Sequence, residues 1–210
     1  MSQASKPTGL FGRILARGMA WGHKTFYVNA AKALDLRPED RLLEIGFGSG
    51  WFIRKHASKV LKVCGLDISE DMVRLAIGVN RKMVDAGRAD FRQGDVNTIP
   101  WPDGEFSAVI GIETFYFWPE PKKAIEEIFR VLTPGGRVVI EMGFNKNDGL
   151  DHTKHVRKYG IKLYSGKEMV ALLEQAGFTD IEIIYYKGLW MPIRGHVVPK
   201  GMIAKAFKRP

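Results

Sequence analysis

Four acidic residues stand where short apolar runs stop. Glu44 lies in RLLEI, which runs directly into Gly46-Phe47-Gly48-Ser49-Gly50. Asp67 follows VLKVCGL, and Asp95 follows the run Ala89–Gln93 after Gly94. Glu113 comes just past Glu105–Gly111, with Tyr116, Phe117 and Trp118 behind it. Carboxylates placed this way can accept from hydroxyls and amines and attract cations, and a glycine turn lets backbone approach a ligand closely. Proton transfer could fall to Glu113, Tyr116, His23, His152 or His155. The faces of Tyr116 and Trp118 suit cations or flat apolar rings, and Trp21, Phe26 and Tyr27 could line the same space from the other side. Cys64 sits inside an apolar run and reads as core. No HxxxH-plus-acid arrangement lies on a secure helix, so no metal is expected.

These residues need a frame that brings strand ends together. Leu10, Phe11, Ile14, Leu15 and Met19 recur at helical spacing, and a second helix is expected over Lys24–Leu36. From Arg41 the pattern alternates. Strands are expected at Arg41–Ile45, Val60–Leu66, Ala89–Gln93, Glu105–Gly111, Arg137–Met142, Ile181–Tyr186 and Gly201–Phe207. Helices are expected at Ser49–Ser58, Ser69–Val84, from Pro119-Pro121 to the Thr133-Pro134-Gly135-Gly136 break, and at Ser165–Ala176. Strands alternating with helices predict a doubly wound α/β sheet of seven strands, mostly parallel, with the last strand antiparallel. Residues 1–40 read as a helical lid on one domain, residues 41–210. Gly143–Tyr164 is polar and weakly periodic, and reads as a flexible insert on the site's side.

The glycine loop is selective about its ligand. The dinucleotide pattern GxGxxG has its third glycine where Trp51 stands, and no GK[ST] follows for a nucleotide-triphosphate loop. Asp67 at the second strand end can accept both ribose hydroxyls, and Asp95 can accept an adenine amine. Acids at strand ends beside a loop without phosphate-binding cations describe a cationic adenosine ligand, and S-adenosylmethionine fits.

Residues 41–142 resemble the class I S-adenosylmethionine-dependent methyltransferases, in the small-molecule group that includes ubiquinone/menaquinone C-methyltransferases. The resemblance is carried by LLEIGFGSG (Leu42–Gly50), GLDIS (Gly65–Ser69), GDVNTIPWPDGEFSAVIG (Gly94–Gly111) and EEIFRVLTPGGRVVI (Glu126–Ile140), in the family's order and spacing. It implies a Rossmann-like fold and methyl transfer by direct in-line displacement. It implies that Glu44, Gly46, Phe47, Gly48 and Gly50 face the methionine part and that Asp67 holds the ribose. Ile68 and Met72 would lie beside the adenine, Asp95 and the Val96 amide would contact it, and Glu113 would lie near the sulfonium. GIETFYFWPEP and the upstream MAWGH are similar to a narrower branch that gives no substrate. Glu113, Tyr116 and His23 are therefore the catalytic candidates, and Trp118, Trp21 and Tyr27 the substrate contacts.

Absent motifs exclude other acceptors. No [DNS]PP[YFW] follows the fourth strand, and no Pro-Cys nucleophile exists for cytosine C5 chemistry. The expectation is a small-molecule acceptor in a cytoplasmic enzyme, a compartment that suits a single cysteine. The net charge of +9, from 32 Lys+Arg against 23 Asp+Glu, keeps alternatives open. Lys187, Arg194, Lys200, Lys205, Lys208 and Arg209 form a basic end without acids, which would suit RNA. The basic amphipathic start would suit a quinone or lipid at a membrane surface. A non-catalytic cofactor-binding module is the third alternative.

Overall fold

The computed structural model describes residues 24–187 and 200–210. The expected helix over Leu10–Met19 and the candidates Trp21 and His23 lie outside the described residues. Within them the chain runs α1 (Lys24–Leu34), β1 (Arg41–Ile45), a π-helical turn (Ile53–Ala57), β2 (Lys62–Asp67), α2 (Glu70–Val79), α3 (Arg81–Asp85) and β3 (Ala89–Gln93). It continues with β4 (Phe106–Ile112), a single 3-10 turn (Phe115–Phe117), α4 (Pro121–Val131), β5 (Leu132–Met142), α5 (Thr153–Tyr159), α6 (Gly166–Gln175), β6 (Thr179–Lys187) and β7 (Lys200–Phe207).

The strands form one sheet in the order β3-β2-β1-β4-β5-β7-β6. The first five are parallel, and β7 runs antiparallel between β5 and β6. Alternate residues feed two cores. Leu43, Ile45, Val109, Val138 and Ile140 pack with α4 and α6, whereas Leu42, Ala108, Ile110 and Val139 pack with α1 and α2. Both faces are covered, which is why the central strands read as unbroken apolar runs. Edge strand β6 instead alternates exposed and partly buried residues.

At the N-terminal ends of β1 and β5 a buried ion pair ties α1 to the sheet. Arg137 grips Asp40 with both terminal nitrogens, at 2.6 and 3.1 Å, and its Nε donates to the Leu34 carbonyl at the end of α1. Asp40 also accepts from Ser107 Oγ and the Arg37 amide. Burial alone would raise the Asp40 carboxyl, but these partners hold it below its ordinary value.

Three expectations need correction. The helix over Ser69–Val84 is two helices, broken at Asn80, whose amide turns away to hold the Gly50 carbonyl at 3.0 Å. The helix after the glycine loop passes into a π turn at Ile53. The insert Gly143–Tyr164 is anchored, not loose. Asn145 is fully buried and donates to the Lys200 carbonyl at 2.6 Å, His152 meets Asp148 at 2.6 Å, and α5 occupies its middle. Its polar residues bond one another, so it carries no hydrophobic period.

Candidate active site

The glycine loop joins the end of β1 to the turn at Trp51. Gly50 has φ +70, and a Cβ there would come within 2.6 Å of Asn80 Nδ2, so the tight return demands glycine. A Cβ on Gly48 would meet nothing within 4 Å, so that part of the loop borders open space. Asp67, at the end of β2, accepts from the Gly48 amide with Oδ2 and from the Ser69 amide with Oδ1, both at 2.9 Å. It thus fixes the loop and starts α2. Each oxygen retains capacity for a further donor. Burial raises the Asp67 carboxyl, against the pull of those two amides. Asp95 is half-buried and closes its own turn by accepting from the Asn97 amide at 2.8 Å.

Glu44 is buried in β1, and its Oε2 has no hydrogen-bond partner. Burial pushes its carboxyl well up, and the Asp67 charge adds to the effect. An orphaned carboxylate oxygen, open space at Gly48 and a loop without Lys or Arg fit an aminoacyl-bearing cationic nucleoside. They do not fit a phosphate, which would call for cations here. Ile68 is half-buried after Asp67, and Val96 is buried after Asp95. Two further expected contacts also pack inward. The Phe47 ring packs edge-on against Phe91 at 5.1 Å and lies over Gly65, and Met72 is fully buried in the core beneath α2. Their apolar side chains gain more from the core than from a wet cleft.

Glu113 has φ +56, a left-handed backbone that a non-glycine residue rarely adopts. The turn aims its carboxylate back across β5. Oε1 accepts from the Gly143 amide and from the Tyr116 hydroxyl, the latter at 2.9 Å. Tyr116 Oη in turn accepts from the Phe144 amide at 2.7 Å. Burial raises Glu113 to about 7, despite these donors. Tyr116 is pushed well up by burial and then by Glu113, so it stays a neutral phenol. A Cβ on Gly143 would lie 2.8 Å from Phe26 and 3.0 Å from Glu113 Oε1, so glycine is required for that contact.

The structure therefore brings Glu113 and Tyr116 into one hydrogen-bonded unit. Tyr27, on α1, joins their surroundings. Its phenol is raised by burial and then by the charges of Glu44, Glu113 and Glu141. Trp118 is not brought to them. It is buried against Phe115 and donates to Thr114 Oγ1 at 3.3 Å, leaving Phe117 the more exposed ring. Sequence reasoning missed Gly143, Glu141 and Tyr186. Glu141 is fully buried in β5 and accepts from the Tyr186 hydroxyl. The signal was available, since Glu141 is an acid interrupting the apolar run VVIEM. His152 and His155 pack around the Phe144 ring, and no metal-holding group of His, Cys, Asp or Glu occurs among the described residues.

Comparison with known proteins shows the family and the fold. Residues 43–140 match the model of a methyltransferase domain. An uncharacterized methyltransferase of Bacillus subtilis, YdaC, is 30% identical over 168 residues, covering 79% of this chain and 86% of its own. The 27-O-demethylrifamycin SV methyltransferase of Amycolatopsis mediterranei is 36% identical over 111 residues, 52% of this chain and 41% of its own. Among solved structures, Haemonchus contortus phosphoethanolamine N-methyltransferase 2 superposes with TM-score 0.80 at 19% identity, covering 95% of this chain and 58% of that one. A complex of the Haloferax volcanii Trm112 activator with a methyltransferase gives TM-score 0.81 at 20% identity and 94% coverage of both chains. At such identities these two structures speak for the fold alone.

Proposed function

We propose that this chain, which belongs to the class I S-adenosylmethionine-dependent methyltransferases, passes the methyl group to a small-molecule acceptor seated against Glu113 and Tyr116. The sulfonium of the cofactor supplies an activated methyl group, so the protein's work is alignment, exclusion of water and acceptance of a proton. Glu44 and the loop Gly46–Gly50 hold the methionine part, with Phe47 contributing backbone alone. Asp67 holds the ribose, and Asp95, Ile68 and Val96 border the adenine. Helix α1 covers the acceptor space, with Tyr27 facing it.

The observation that carries this reading is Glu113. A carboxylate on a left-handed backbone, held by Tyr116 and the Gly143 amide and raised to about 7, is poised to take up a proton near neutrality. Two relatives also carry small acceptors in their names, a rifamycin and phosphoethanolamine. Among the described basic residues, Lys208 is not free for nucleic acid, since its ammonium donates to the Phe129 and Leu132 carbonyls. The test incubates the protein with methyl-labelled S-adenosylmethionine and a fractionated cell extract. Label is expected in the small-molecule fraction and lost with Glu113→Gln. Label confined to RNA or protein would overturn the reading.

A further inference from the structure

Three carboxylates lie under the start of α1, and none takes part in any ion pair among the described residues. Glu44 and Glu141 each keep one buried oxygen without a hydrogen-bond partner. The chain places Glu141 beside Glu113, whose amide donates to the Glu141 carbonyl at 3.1 Å. Tyr27 feels all three acids at once. Burying a carboxylate without a cation is costly, and proteins retain such a group where a ligand completes it.

S-adenosylmethionine does not balance this charge. It brings an ammonium and a sulfonium but also its own carboxylate, and Glu44 already stands at the loop expected to receive its methionine part. Glu141 is further along the sheet. It lies on β5, pairs with Ile112 of β4 and Ile203 of β7, and is capped by Tyr186 from β6. Its orphaned oxygen therefore belongs to the acceptor side. Around it stand Glu113, the phenols of Tyr27 and Tyr186, and the ring of Phe26, which meets Tyr186 edge-on at 6.5 Å. Burial first, and then Glu113, pushes the Glu141 carboxyl well up, with no cation among the described residues to oppose it.

We propose that the acceptor is an amine, bound as its ammonium between Glu141 and Glu113 and methylated on nitrogen. The proposal rests on the methyl-transfer reading above and narrows its acceptor. Glu141 holds the cation and Glu113 takes its proton. The ammonium N–H bond breaks and the proton passes to the Glu113 carboxylate. The freed nitrogen pair then forms the N–CH3 bond as the methyl–sulfur bond breaks, leaving its pair on a neutral thioether. Tyr186 and Tyr116 keep the two carboxylates in place through the reaction.

The test uses the full chain saturated with S-adenosylhomocysteine, whose own binding is first measured by calorimetry. Methylammonium and phenethylammonium are the probes, with methanol, 2-phenylethanol and 3-phenylpropionate as uncharged and anionic counterparts. The ammonium probes are expected to raise the thermal midpoint and to bind about tenfold or more tightly than the alcohols, the scale of a hydrogen-bonded charge pair. Glu141→Gln should abolish that preference, and Tyr186→Phe, which keeps the charge, should retain it. Equal or tighter binding of the alcohols, or a preference unchanged by Glu141→Gln, overturns the proposal. If that variant does not fold, the wild-type ratio decides alone. Failure of the ammonium probes with S-adenosylhomocysteine still bound removes the amine assignment only. Failure of S-adenosylhomocysteine to bind removes the underlying reading as well.

Discussion

The two ends of the parallel sheet bury charge in opposite ways. At the N-terminal end, Asp40 and Arg137 are nearly inaccessible, and each is met by charged and neutral partners from α1, β4 and the loop before β1. At the C-terminal end, Glu44 and Glu141 are as deeply buried, yet each keeps an oxygen without a partner. Matched charge at one end joins elements of the fold. Carboxyl oxygens left without a partner lie at the other end, which is where parallel sheets place their ligands. The contrast predicts that charge removal should cost stability at one end and function at the other.

The largest effect is expected at the matched end. Arg137→Ala would leave the Asp40 carboxylate buried and the Leu34 and Asp35 carbonyls without this donor. Breaking a buried pair on one side costs about 3–5 kcal/mol. Urea unfolding at neutral pH should show it, while S-adenosylhomocysteine affinity of the folded fraction stays unchanged. A loss below 1 kcal/mol, roughly the worth of an exposed pair, would break the comparison.

At the unmatched end the loss should appear in rate. Glu113→Gln is expected to lower methyl transfer by about 10²–10⁴-fold, the range of general-base catalysis. Cofactor affinity should hold, because the residues assigned to it lie mainly on β1, β2 and β3. The pH dependence has a definite sign. Glu113 is raised from 4.5 to about 7, so the unfolded chain releases this proton first. The stability tied to Glu113 is fully present below pH 4.5 and falls as pH rises to about 7. Wild type should therefore lose stability relative to Glu113→Gln across that window. A parallel pair of stability curves would show that Glu113 is not held neutral by burial.

The parts legible in the sequence are those where local pattern and tertiary demand coincide. RLLEI, GFGSG and Asp67 were readable because a buried parallel strand, a tight turn and a strand-end carboxylate each leave a local mark. Glu113 and Tyr116 were readable by position, one turn apart past β4. Gly143, Glu141 and Tyr186 were not, because their contacts form only when α1 and the ends of β4, β5, β7 and β6 come together. Phe47, Met72 and Trp118 differ for the opposite reason. An aromatic or methionine near a site reads as a ligand contact in sequence, and the structure adds that these three side chains also pack into the core. The segment from Gly143 hid its order because polar bonds such as Asn145 to the Lys200 carbonyl have no period.

A smaller effect is expected at Asp67, which serves both ends of the argument. It holds the loop through Gly48 and α2 through Ser69, and it is the residue assigned to the ribose hydroxyls. Asp67→Ala should weaken S-adenosylhomocysteine binding by about 1.5–3 kcal/mol, the range for hydrogen bonds to a charged group. Calorimetric titration measures this directly, and NAD should bind more weakly than S-adenosylhomocysteine to wild type. The reverse order would return the loop to the dinucleotide class despite Trp51.

The smallest effect is expected where intuition about buried charge expects the largest. Glu141 is fully buried, and on burial alone replacing it should be as damaging as replacing Arg137. The physics differs because nothing opposite Glu141 would be stranded. Tyr186 could donate to the amide oxygen of Glu141→Gln as it does to the carboxylate. The amide nitrogen would replace an oxygen that already lacks a partner. One unsatisfied polar atom is exchanged for another, and a group that resists ionisation is replaced by one that cannot ionise. Glu141→Gln should therefore change unfolding stability by no more than about 1 kcal/mol, with a gain as readily as a loss. A stability loss comparable to that of Arg137→Ala would mean that Glu141 is matched within the fold after all, and the division between the two ends of the sheet would fail.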